Sequence, residues 1–526
     1  MKTLFKNFLS NSRPGRSQSH QSHPAPILED GGEQVVYRCR KQRGVNLGSW
    51  FVLERWIAEA PFRLAAAPGQ SDLDVARGSD AKEILERHWD SWITDRDFEW
   101  LAAKGINAVR IPIGYYHLCG LDNSILHNTD FQGLEGIFQG AWIRLVNAVE
   151  TAQRYRIGVL FDLHAAPGKQ NQDSHSGTSS PSITFFDSRS NLKLTIRVLR
   201  ILVSALRSLR SEHNPPVNNV VGVELLNEPK PPSHSALQDW YAKAIQELRS
   251  LDPTLPIYIS DCWTSDDYAG FVKSLPPSSA PICLDHHLYR CFTSADNSTS
   301  AAQHSASLTD PNAPTPQTFA RVAGNLEDAG GSLVVGEWSG ALNPGSLQGP
   351  IDERQERKRY IEAQLDLLER YCSGWFFWTY KKEQPGDQGW SFRDAVEAGV
   401  FPGFVGMRST KSLRADDSDR TARKLVSQSS AIGQHTSYWT QYPGNYEHWR
   451  FEKGYSQGWE DAYRFLLNKD TSHAVVPELG FKGSWKKKRA HEHGTEDGFS
   501  GNLWEYEHGF EQAVGDARLD FQKAYC

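Results

Sequence analysis

The chain has 526 residues and a mass of 59.2 kDa, more than a typical single-domain core but compatible with one large barrel and a further region. Its formal net charge of −6 and pI near 6.3 give no reason to expect a nucleic-acid partner. No apolar run is long enough to cross a membrane, so we expect no membrane span.

The first 35 residues are predicted to be disordered. Lys6 and Asn7 interrupt the apolar stretch near the start, which argues against a signal peptide, and a segment rich in Ser, His and Pro follows to about Pro26. The seven cysteines are an odd and scattered set without metal-ligand spacing, which indicates free thiols. Together these features predict a cytoplasmic protein, with secretion or a cell-wall location as the alternative.

Eight short apolar runs predict parallel strands covered on both faces, because they are rich in Val, Ile, Leu and Phe without polar alternation. The predicted strands are Gly44–Trp50, Ala108–Ile113, Gly158–His164, Val220–Asn227, Pro256–Trp263, Pro281–Tyr289, Leu333–Trp338 and Gly374–Tyr380. The predicted helices are Ala81–Lys104, Ala141–Tyr155, Leu192–Glu212, Ala236–Leu251 and Glu353–Tyr371. This α/β pattern favours a (β/α)₈ TIM barrel over residues 36–405, although counting units alone leaves a doubly wound sheet as an alternative.

The C-terminal part is predicted to be a helical extension that follows a linker. The chain is polar from Gly403 to Tyr438, so residues 406–438 are predicted to be a linker or surface loop. Residues 439–526 contain a repeat at a 55-residue offset, in which Trp449-Arg-Phe-Glu-Lys-Gly454 matches Trp504-Glu-Tyr-Glu-His-Gly509. We expect the two copies to be helical and to pack on each other or on the barrel. The basic run at 486–489 is interpreted as a solvated helix face, with a nuclear signal as the alternative.

Two glutamates at the ends of predicted strands are candidates for catalysis. Glu228 follows Val223-Glu-Leu-Leu-Asn227, and Glu337 follows Leu333-Val-Val-Gly336. A carboxylate that ends a buried run is costly unless partners or a function compensate for it, and a single one is more often structural. The pair fits the paired-carboxylate site of glycosidases, where one group donates a proton and the other attacks the sugar carbon.

Polar and aromatic residues also end most of the predicted strands, which is where a barrel carries its active site. These residues are Asn46, Arg110, His164, Asn227, Trp263, His287, Tyr289 and Trp378. The sequence shows no carboxylate–histidine cluster at metal-ligand spacing, so we expect neither a metal ion nor another cofactor.

Seven motifs in sequence order resemble the fungal exo-β-1,3-glucanases of glycoside hydrolase family 5. The similarity spans about Val36 to Phe401. The motifs are Arg43-Gly-Val-Asn-Leu-Gly-Ser-Trp-Phe-Val-Leu-Glu54, Val109-Arg-Ile-Pro-Ile-Gly-Tyr115, Asp162-Leu-His-Ala-Ala-Pro-Gly168, Asn227-Glu-Pro229, Asp285-His-His-Leu-Tyr289, Gly336-Glu-Trp338 and Trp375-Phe-Phe-Trp-Thr-Tyr380. The repeat resembles, more weakly, the tail of intracellular fungal glucan 1,3-β-glucosidases. The resemblance implies a retaining hydrolase that releases glucose from β-1,3-glucan or related β-glucosides by double displacement.

The resemblance also implies roles for individual residues. Glu228 would be the acid/base, with a raised pKa, and Glu337 the nucleophile, kept ionised by the nearby cation of Arg110. The other implied substrate-binding residues are Asn227 at the sugar 2-hydroxyl, Glu54 at the closed end of the pocket, His164, His287 and Tyr289 around the −1 sugar, Trp378 beneath that sugar, and Phe292 at the +1 sugar.

One departure from the family pattern concerns the acceptor side. The family has Gln-Asn-Gly-Phe where this chain reads Gln170-Asn-Gln-Asp173, so Asp173 replaces one of two phenylalanines that hold the +1 sugar. A β-glucosidase for glycolipids, such as steryl glucoside or glucosylceramide, is therefore one alternative. An inactive carbohydrate-binding protein is another, although the intact glutamate pair argues against it. The linkage, exo or endo action and oligomeric state stay open.

Overall fold

The computed structural model describes residues 32–349, 352–410, 418–468 and 475–526. Eight parallel strands form a closed barrel, in which each strand pairs with its neighbours in chain order and the last strand pairs with the first. The strands are β1 (Gln42–Asn46), β2 (Ala108–Gly114), β3 (Gly158–Ala165), β4 (Val220–Glu224), β5 (Ile257–Ser260), β6 (Ile282–Leu288), β7 (Ser332–Trp338) and β8 (Gly374–Phe377). The predicted (β/α)₈ barrel is confirmed, and closure rules out the doubly wound sheet.

Helices surround the barrel and continue into the C-terminal region. Those of the described ranges are α1 (Glu33–Cys39), α2 (Asp72–Ala76), α3 (Ala81–Ser91), α4 (Asp95–Ala103), α5 (Glu135–Phe138), α6 (Ala141–Arg154), α7 (Arg189–Ser211), α8 (His234–Arg249), α9 (Ser265–Ser274), α10 (Ser294–Ser298), α11 (Ala301–Thr309), α12 (Pro314–Asp328), α13 (Glu353–Tyr371), α14 (Phe392–Glu397), α15 (Ser418–Trp439), α16 (His448–Leu466), α17 (Lys482–Asp497) and α18 (Leu503–Tyr525). Short 3₁₀ segments occur at Ala60–Phe62, Tyr115–Leu118, Asn123–Leu126, Ser174–Ser176, Pro277–Ser279 and Pro344–Leu347. None of the helices in these ranges combines the length and apolar content that a membrane span requires.

Several predicted elements were too long. The predicted fourth strand ran to Asn227, whereas β4 ends at Glu224, because the following residues leave the sheet to form the site. The predicted helix 81–104 is two helices, α3 and α4. The second begins where the carboxylate of Asp97 accepts a hydrogen bond from the backbone N–H of Thr94 at 2.8 Å, which caps a new helix.

The predicted disordered segment at residues 1–35 falls mostly outside the described residues, since residues 1–31 are not among them. The prediction of disorder was wrong for residues 33–35, because helix α1 begins at Glu33. Arg38 of this helix is buried and pairs with Asp252 at 2.9 Å, while Arg40 donates to the backbone oxygen of Asn107 at 2.6 Å. Helix α1 therefore packs at the amino-terminal end of the barrel.

The predicted linker or surface loop at 406–438 was wrong from residue 418 onward, where α15 begins. The buried face of α15 is formed by Ala431, His435 and Trp439, which lie four residues apart on one side of the helix, whereas Leu425 and Val426 are exposed. The prediction relied on the polar composition of this segment and its few apolar residues, but the face that packs here consists of Ala, His and Trp. Residues 411–417 lie outside the described ranges.

The two repeat copies form α16 and α18, which pack closely against each other. A Cβ atom at Gly454 would lie 2.0 Å from the backbone oxygen of Tyr506, and one at Gly509 would lie 2.1 Å from that of Phe451. Glycine at these positions therefore permits the close approach. Because Phe451 and Tyr506 hold the same place in the two copies, the contact is nearly two-fold symmetric.

The C-terminal helices cover the amino-terminal end of the barrel. Strand residues such as Leu160, Val334 and Phe376 belong to one buried apolar cluster with Trp459 and Phe510 of the C-terminal helices. The hydroxyl of Ser373 donates to the backbone oxygen of Gly480 at 2.9 Å, just before β8 begins. The C-terminal region thus closes the end of the barrel that lies opposite the carboxyl ends of the strands.

The basic run in α17 is not a solvated face, so that interpretation was wrong. Lys486, Lys488 and Arg489 are buried. Lys486 pairs with Glu511 at 3.0 Å, and Arg489 pairs with Asp461 at 2.6 Å. The run is part of the packing between C-terminal helices, because each buried cation has an acidic partner.

Candidate active site

The structure brings the predicted site residues to the carboxyl ends of the strands. Glu337 lies on β7, and Glu228 lies four residues after the end of β4. Glu228 has a φ of 42°, which is uncommon for a residue other than glycine and indicates a position held by its surroundings. The backbone oxygen of Glu228 accepts a hydrogen bond from Asn171 at 3.1 Å, which contributes to holding it there.

Both carboxylate oxygens of Glu337 are held by neighbouring side chains. Arg110 donates to Oε1 at 3.0 Å, and the hydroxyl of Tyr289 donates to Oε2 at 2.8 Å. Glu337 is only 5 % exposed. Its orientation is therefore fixed by a cation on one oxygen and a neutral donor on the other.

Arg110 is fully buried at the centre of the site. Its guanidinium also donates to Glu224 at 2.8 Å, to Asn46 at 3.0 Å and to Asn227 at 2.8 Å, and it pairs with Asp162 at 3.0 Å. The rigid fork of five N–H groups thereby connects residues of β1, β3, β4 and β7. Arg110 lies beside Glu337, as the sequence predicts.

His287 lies between the two catalytic candidates. Its Nδ1 is 2.6 Å from Oε1 of Glu228 and 3.5 Å from Oε2 of Glu337, and its Nε2 is 3.4 Å from Asp285. One oxygen of Glu228, one oxygen of Glu337 and a ring nitrogen of His287 all lie within 4.8 Å of one another. The imidazole can thus exchange a proton directly with Glu228.

The distribution of protons differs from the predicted one. Burial opposes a charged His287, but Glu337, Asp285 and Glu228 raise its pKa well above the usual value. Burial would raise the pKa of Glu228, but the hydrogen bond and charge of His287 lower it to about 2. Burial raises the pKa of Glu337 to about 7, against the charges of His287 and Arg110. These shifts favour a proton on His287 over one on Glu228 in the free enzyme, which is opposite to the raised pKa predicted for Glu228.

His164 and Trp378 form one wall of the site. Their rings are stacked, with centroids 5.8 Å apart and an interplanar angle of 6°. Burial, reinforced by the charges of His175 and Arg110, lowers the pKa of His164 well below its usual value, so this ring is neutral. Nδ1 of His164 lies 2.6 Å from the carboxylate of Asp162 and donates its proton there. Nε2 of the neutral ring is then an acceptor, and it lies 3.4 Å from the amide nitrogen of Asn227.

His175 is a site residue that the sequence reasoning missed. Its Nδ1 lies 3.3 Å from Nε2 of His164. A ring nitrogen of His175 lies within 4.8 Å of a carboxylate oxygen of Glu54, and one lies within 4.8 Å of a carboxylate oxygen of Glu228. The segment 170–177 had been identified as the departure from the family pattern, but only Asp173 was considered there. Asp173 itself is exposed.

An aromatic cluster continues outward from Tyr289. The ring of Trp390 lies 5.6 Å from Tyr289, 6.0 Å from Phe292 and 5.4 Å from Trp56. Phe292 is 72 % exposed. Trp390 was also missed, since it lies in the long connection after β8, outside any motif. These rings offer flat apolar faces to a substrate that extends out of the site.

Glu54 lies beside this cluster, and its predicted place at the closed end of the pocket stays a prediction. Its carboxylate accepts a hydrogen bond from the indole N–H of Trp56 at 2.8 Å. Burial raises the pKa of Glu54 to about 7, and the charges of Glu228 and Asp173 act in the same direction. A neutral carboxyl at this position can both donate to and accept from sugar hydroxyls.

The fold assembles carboxylate–histidine groups that sequence spacing did not reveal. The groups in the site are Glu54, His164 and His175; Asp173, His175 and Glu228; Glu224, Asp285 and His287; and Glu228, His287 and Glu337. Sequence spacing therefore does not exclude a metal ion, because ligand-type atoms from different strands meet in the site. The expected absence of a metal or cofactor stays a prediction.

The closed barrel and the paired, differently held carboxylates at the carboxyl ends of its strands define a glycoside-cleaving enzyme. The family model of cellulase (glycosyl hydrolase family 5) matches residues 77–384. A second model, the glucan 1,3-beta-glucosidase 3 C-terminal domain, matches residues 420–520. The chain therefore belongs to glycosyl hydrolase family 5 and is a glycoside hydrolase, which confirms the resemblance.

Curated relatives match along nearly the whole chain. Glucan 1,3-beta-glucosidase 3 of Schizosaccharomyces pombe is 31% identical over 499 residues, which cover 91% of this chain and 96% of that protein. An uncharacterized glycosyl hydrolase of Saccharomyces cerevisiae is 30% identical over 532 residues, 98% of each chain. The crystal structure of a rutinosidase from Aspergillus niger superposes with a TM-score of 0.54 at 19% identity, over 70% of this chain and 99% of that chain. That likeness supports the fold alone.

Proposed function

We propose that the protein releases glucose from β-1,3-glucan or related β-glucosides with retention of the anomeric configuration. The separation of the two carboxylates carries this proposal. Oxygens of Glu228 and Glu337 lie within 4.8 Å of each other. Retaining glycosidases need carboxyl groups about 5–5.5 Å apart, whereas inverting enzymes leave about 6.5–9.5 Å for a water molecule.

In this mechanism Glu337 attacks the anomeric carbon while Glu228 protonates the departing oxygen. Arg110 and Tyr289 hold the two oxygens of Glu337, which orients the attacking carboxylate. His287, whose pKa is raised well above its usual value and whose Nδ1 lies 2.6 Å from Glu228, supplies the proton that Glu228 requires. Its transfer leaves a neutral imidazole and a neutral carboxylic acid, so no proton has to enter from solvent.

The second step regenerates the enzyme. Glu228 is a carboxylate after the leaving group departs, and it accepts a proton from the water that attacks the glycosyl–Glu337 ester. That proton can return to His287 across the same contact. Asn227 contributes an N–H group to the sugar 2-hydroxyl, because its carbonyl oxygen is already held by Arg110 at 2.8 Å.

The preference for β-1,3-linked glucose is supported by the names of the relatives. The S. pombe protein and several Aspergillus proteins that match about two thirds of this chain are named glucan 1,3-beta-glucosidases. The stacked Trp378 and His164 provide a flat wall for a −1 glucose. No observation favours the glycolipid glucosidase, and the fully assembled carboxylate pair disfavours the inactive binding protein.

The stereochemistry of the first product tests this proposal. Proton NMR of laminaritriose hydrolysis, recorded before mutarotation, should show β-glucose first. The Glu337→Gln variant, which keeps the shape of the side chain, is the matched control and should release none. Initial α-glucose would refute retention, and hydrolysis of β-1,4-linked but not β-1,3-linked oligosaccharides would refute the linkage.

We also propose a cytoplasmic location. All seven cysteines fall within the described ranges and are free thiols there, as in a protein of a reducing compartment. A tagged copy should fractionate with cytosolic proteins, and a mild reductant should leave its activity unchanged. Recovery mainly from the culture medium or cell wall would refute this location.

A further inference from the structure

The C-terminal helices contain a buried group of titratable side chains that has no part in the glycosidase chemistry. We name it the His–Glu cluster, and it consists of His435, His448 and Glu505. The three residues lie on α15, at the start of α16 and in the first turn of α18, so the cluster joins three helices. Glu505 and His435 are buried, and the side chain of His448 is 27% exposed.

The geometry of the cluster resembles a set of metal ligands. Oε2 of Glu505 lies 2.8 Å from Nδ1 of His448 and 3.0 Å from Nε2 of His435, and the three atoms all lie within 4.8 Å of one another. The other oxygen of Glu505 accepts the backbone N–H of Glu447 at 2.6 Å. A ligating carboxylate is commonly oriented in this way, with one oxygen hydrogen-bonded and the other free to face the ion.

The charges around Glu505 provide a second argument. Glu505 is fully buried, and its hydrogen-bond contacts come from His435, His448 and the backbone N–H of Glu447. Its ion-pair partners among the described residues are the two histidines alone. The nearby Arg450 pairs with Glu447 and lies 2.9 Å from His493. A buried carboxylate needs a cation, which a metal ion supplies without protonating either histidine.

The chemistry of the donors favours zinc. Two imidazoles and one carboxylate form a three-ligand site that leaves a fourth position for water. Metal–ligand bonds of about 2.0–2.2 Å place tetrahedral ligand atoms about 3.3–3.6 Å apart, so the observed contacts of 2.8 and 3.0 Å would have to widen by about 0.3–0.8 Å. Nδ1 of His435 has no hydrogen-bond partner in the described structure, and a ring proton at that position would leave the lone pair of Nε2 for the ion. The partly exposed His448 provides a route for entry.

We propose that the His–Glu cluster binds one zinc ion through Nε2 of His435, Nδ1 of His448 and Oε2 of Glu505. The ion would be structural, because it would connect α15, α16 and α18 below the barrel, at the opposite end from the glycosidase site. The proposal is independent of the proposed activity.

Metal titration of the full-length protein tests the site. After treatment with a chelator and dialysis, we expect one Zn²⁺ to bind, to raise the melting temperature, and to be replaceable by Co²⁺ with the visible absorption of a tetrahedral site. Glu505→Gln, which is nearly isosteric, and His448→Ala, at the partly exposed position, should each weaken binding by at least about tenfold, since even loss of an outer hydrogen-bond partner costs about 10–100-fold.

The matched control is His491→Ala, which removes a histidine of α17 outside the cluster and should leave the zinc affinity unchanged. Far-UV circular dichroism of each variant establishes that the helices are retained. Absence of stoichiometric Zn²⁺ binding to the wild type would overturn the proposal. Equal binding by wild type and Glu505→Gln would also overturn it, because the ion would then lie elsewhere, for instance among the histidines of the barrel.

Discussion

Two buried arginines on neighbouring strands serve different purposes. Arg43 on β1 lies toward the amino-terminal end of the barrel, and Arg110 on β2 lies in the site. Arg43 pairs with Glu369 at 2.8 Å and with Glu478 at 2.7 Å. Burial would raise the pKa of both carboxylates, but Arg43 lowers it in each case. Lys41 lies 3.3 Å from Glu369 and Arg518 pairs with Glu478, so the charges of this group are matched and both carboxylates are ionised.

Arg110 faces more carboxylates than it can neutralise. Asp162, Glu224 and Glu337 all pair with its guanidinium. Burial therefore raises the pKa of Asp162 to about 7 and that of Glu224 well above its usual value, in spite of the arginine. The excess of acidic groups retains protons near neutral pH. Buried carboxylates that each have a cation stay ionised, whereas several carboxylates around one cation retain protons that can move.

The largest effect should follow loss of the nucleophile. Glu337→Gly should lower kcat on an aryl β-glucoside by at least about 10⁴-fold, because no other group can form the covalent intermediate. Azide should partly restore turnover and yield the α-glycosyl azide, since it attacks in place of the carboxylate. Full activity without azide would contradict the assignment of Glu337.

Loss of the proton donor should depend on the leaving group. Glu228→Ala should slow hydrolysis of laminaritriose by about 10²–10⁴-fold, the usual contribution of general acid catalysis. An aryl β-glucoside with an acidic phenol should be affected far less in the first step, since its leaving group needs no protonation. Equal losses on both substrates would contradict the distinct roles of the two glutamates.

Replacing Arg43, at the amino-terminal end of the barrel, should lower the stability of the protein and leave catalysis intact. Arg43→Met removes a buried cation from Glu369 and Glu478, but Lys41 and Arg518 remain beside them, so the free energy of unfolding should fall by about 1.5–3 kcal/mol, the worth of hydrogen bonds to charged groups. Chemical denaturation measures this change, and kcat at a temperature where the variant is folded should match the wild type. Arg321→Met removes an exposed pair with Asp266 and is the control, with an expected change of about 0–1 kcal/mol. A large drop in kcat for Arg43→Met would contradict the separation of the two ends.

The protons retained by the carboxylates around Arg110 should affect the pH dependence of kcat/KM. Because the pKa of Glu337 is raised to about 7, kcat/KM should fall by up to about tenfold per pH unit as the pH drops below that value and the nucleophile gains a proton. The charge of His287 lowers the pKa of Glu337. His287→Gln should therefore move this acid limb to higher pH, whereas His286→Gln, which removes a histidine that pairs with Asp261, should not. An unmoved limb in His287→Gln would contradict the coupling.

The sequence predicted the barrel and the place of the main site residues because both depend on local signals. Apolar runs such as 158–164 mark strands buried on both faces, and the residue that ends each run faces the site. The proton on His287 could not be predicted, since it depends on a 2.6 Å contact between residues 59 positions apart. His175 and Trp390 lie in connections whose path depends on the packed fold. Helix α15 was missed because its packed face is carried by residues such as His435 rather than by aliphatic side chains.

The smallest effect concerns the acceptor side, where Asp173 occupies a family phenylalanine position and Phe292 is exposed. A ring added at position 173 should contribute about 1 kcal/mol of stacking with a +1 sugar, or about a fivefold change in affinity. Asp173→Phe should therefore lower KM for laminaritriose by about that factor, while KM for an aryl β-glucoside changes less, since its aglycone is not a sugar. Asp173→Asn is the control for the loss of charge alone. If Asp173→Phe and Asp173→Asn had the same effect on KM, the carboxylate and not the missing ring would distinguish this acceptor site. The next residue to substitute would then be His175, which lies 3.8 Å from that carboxylate.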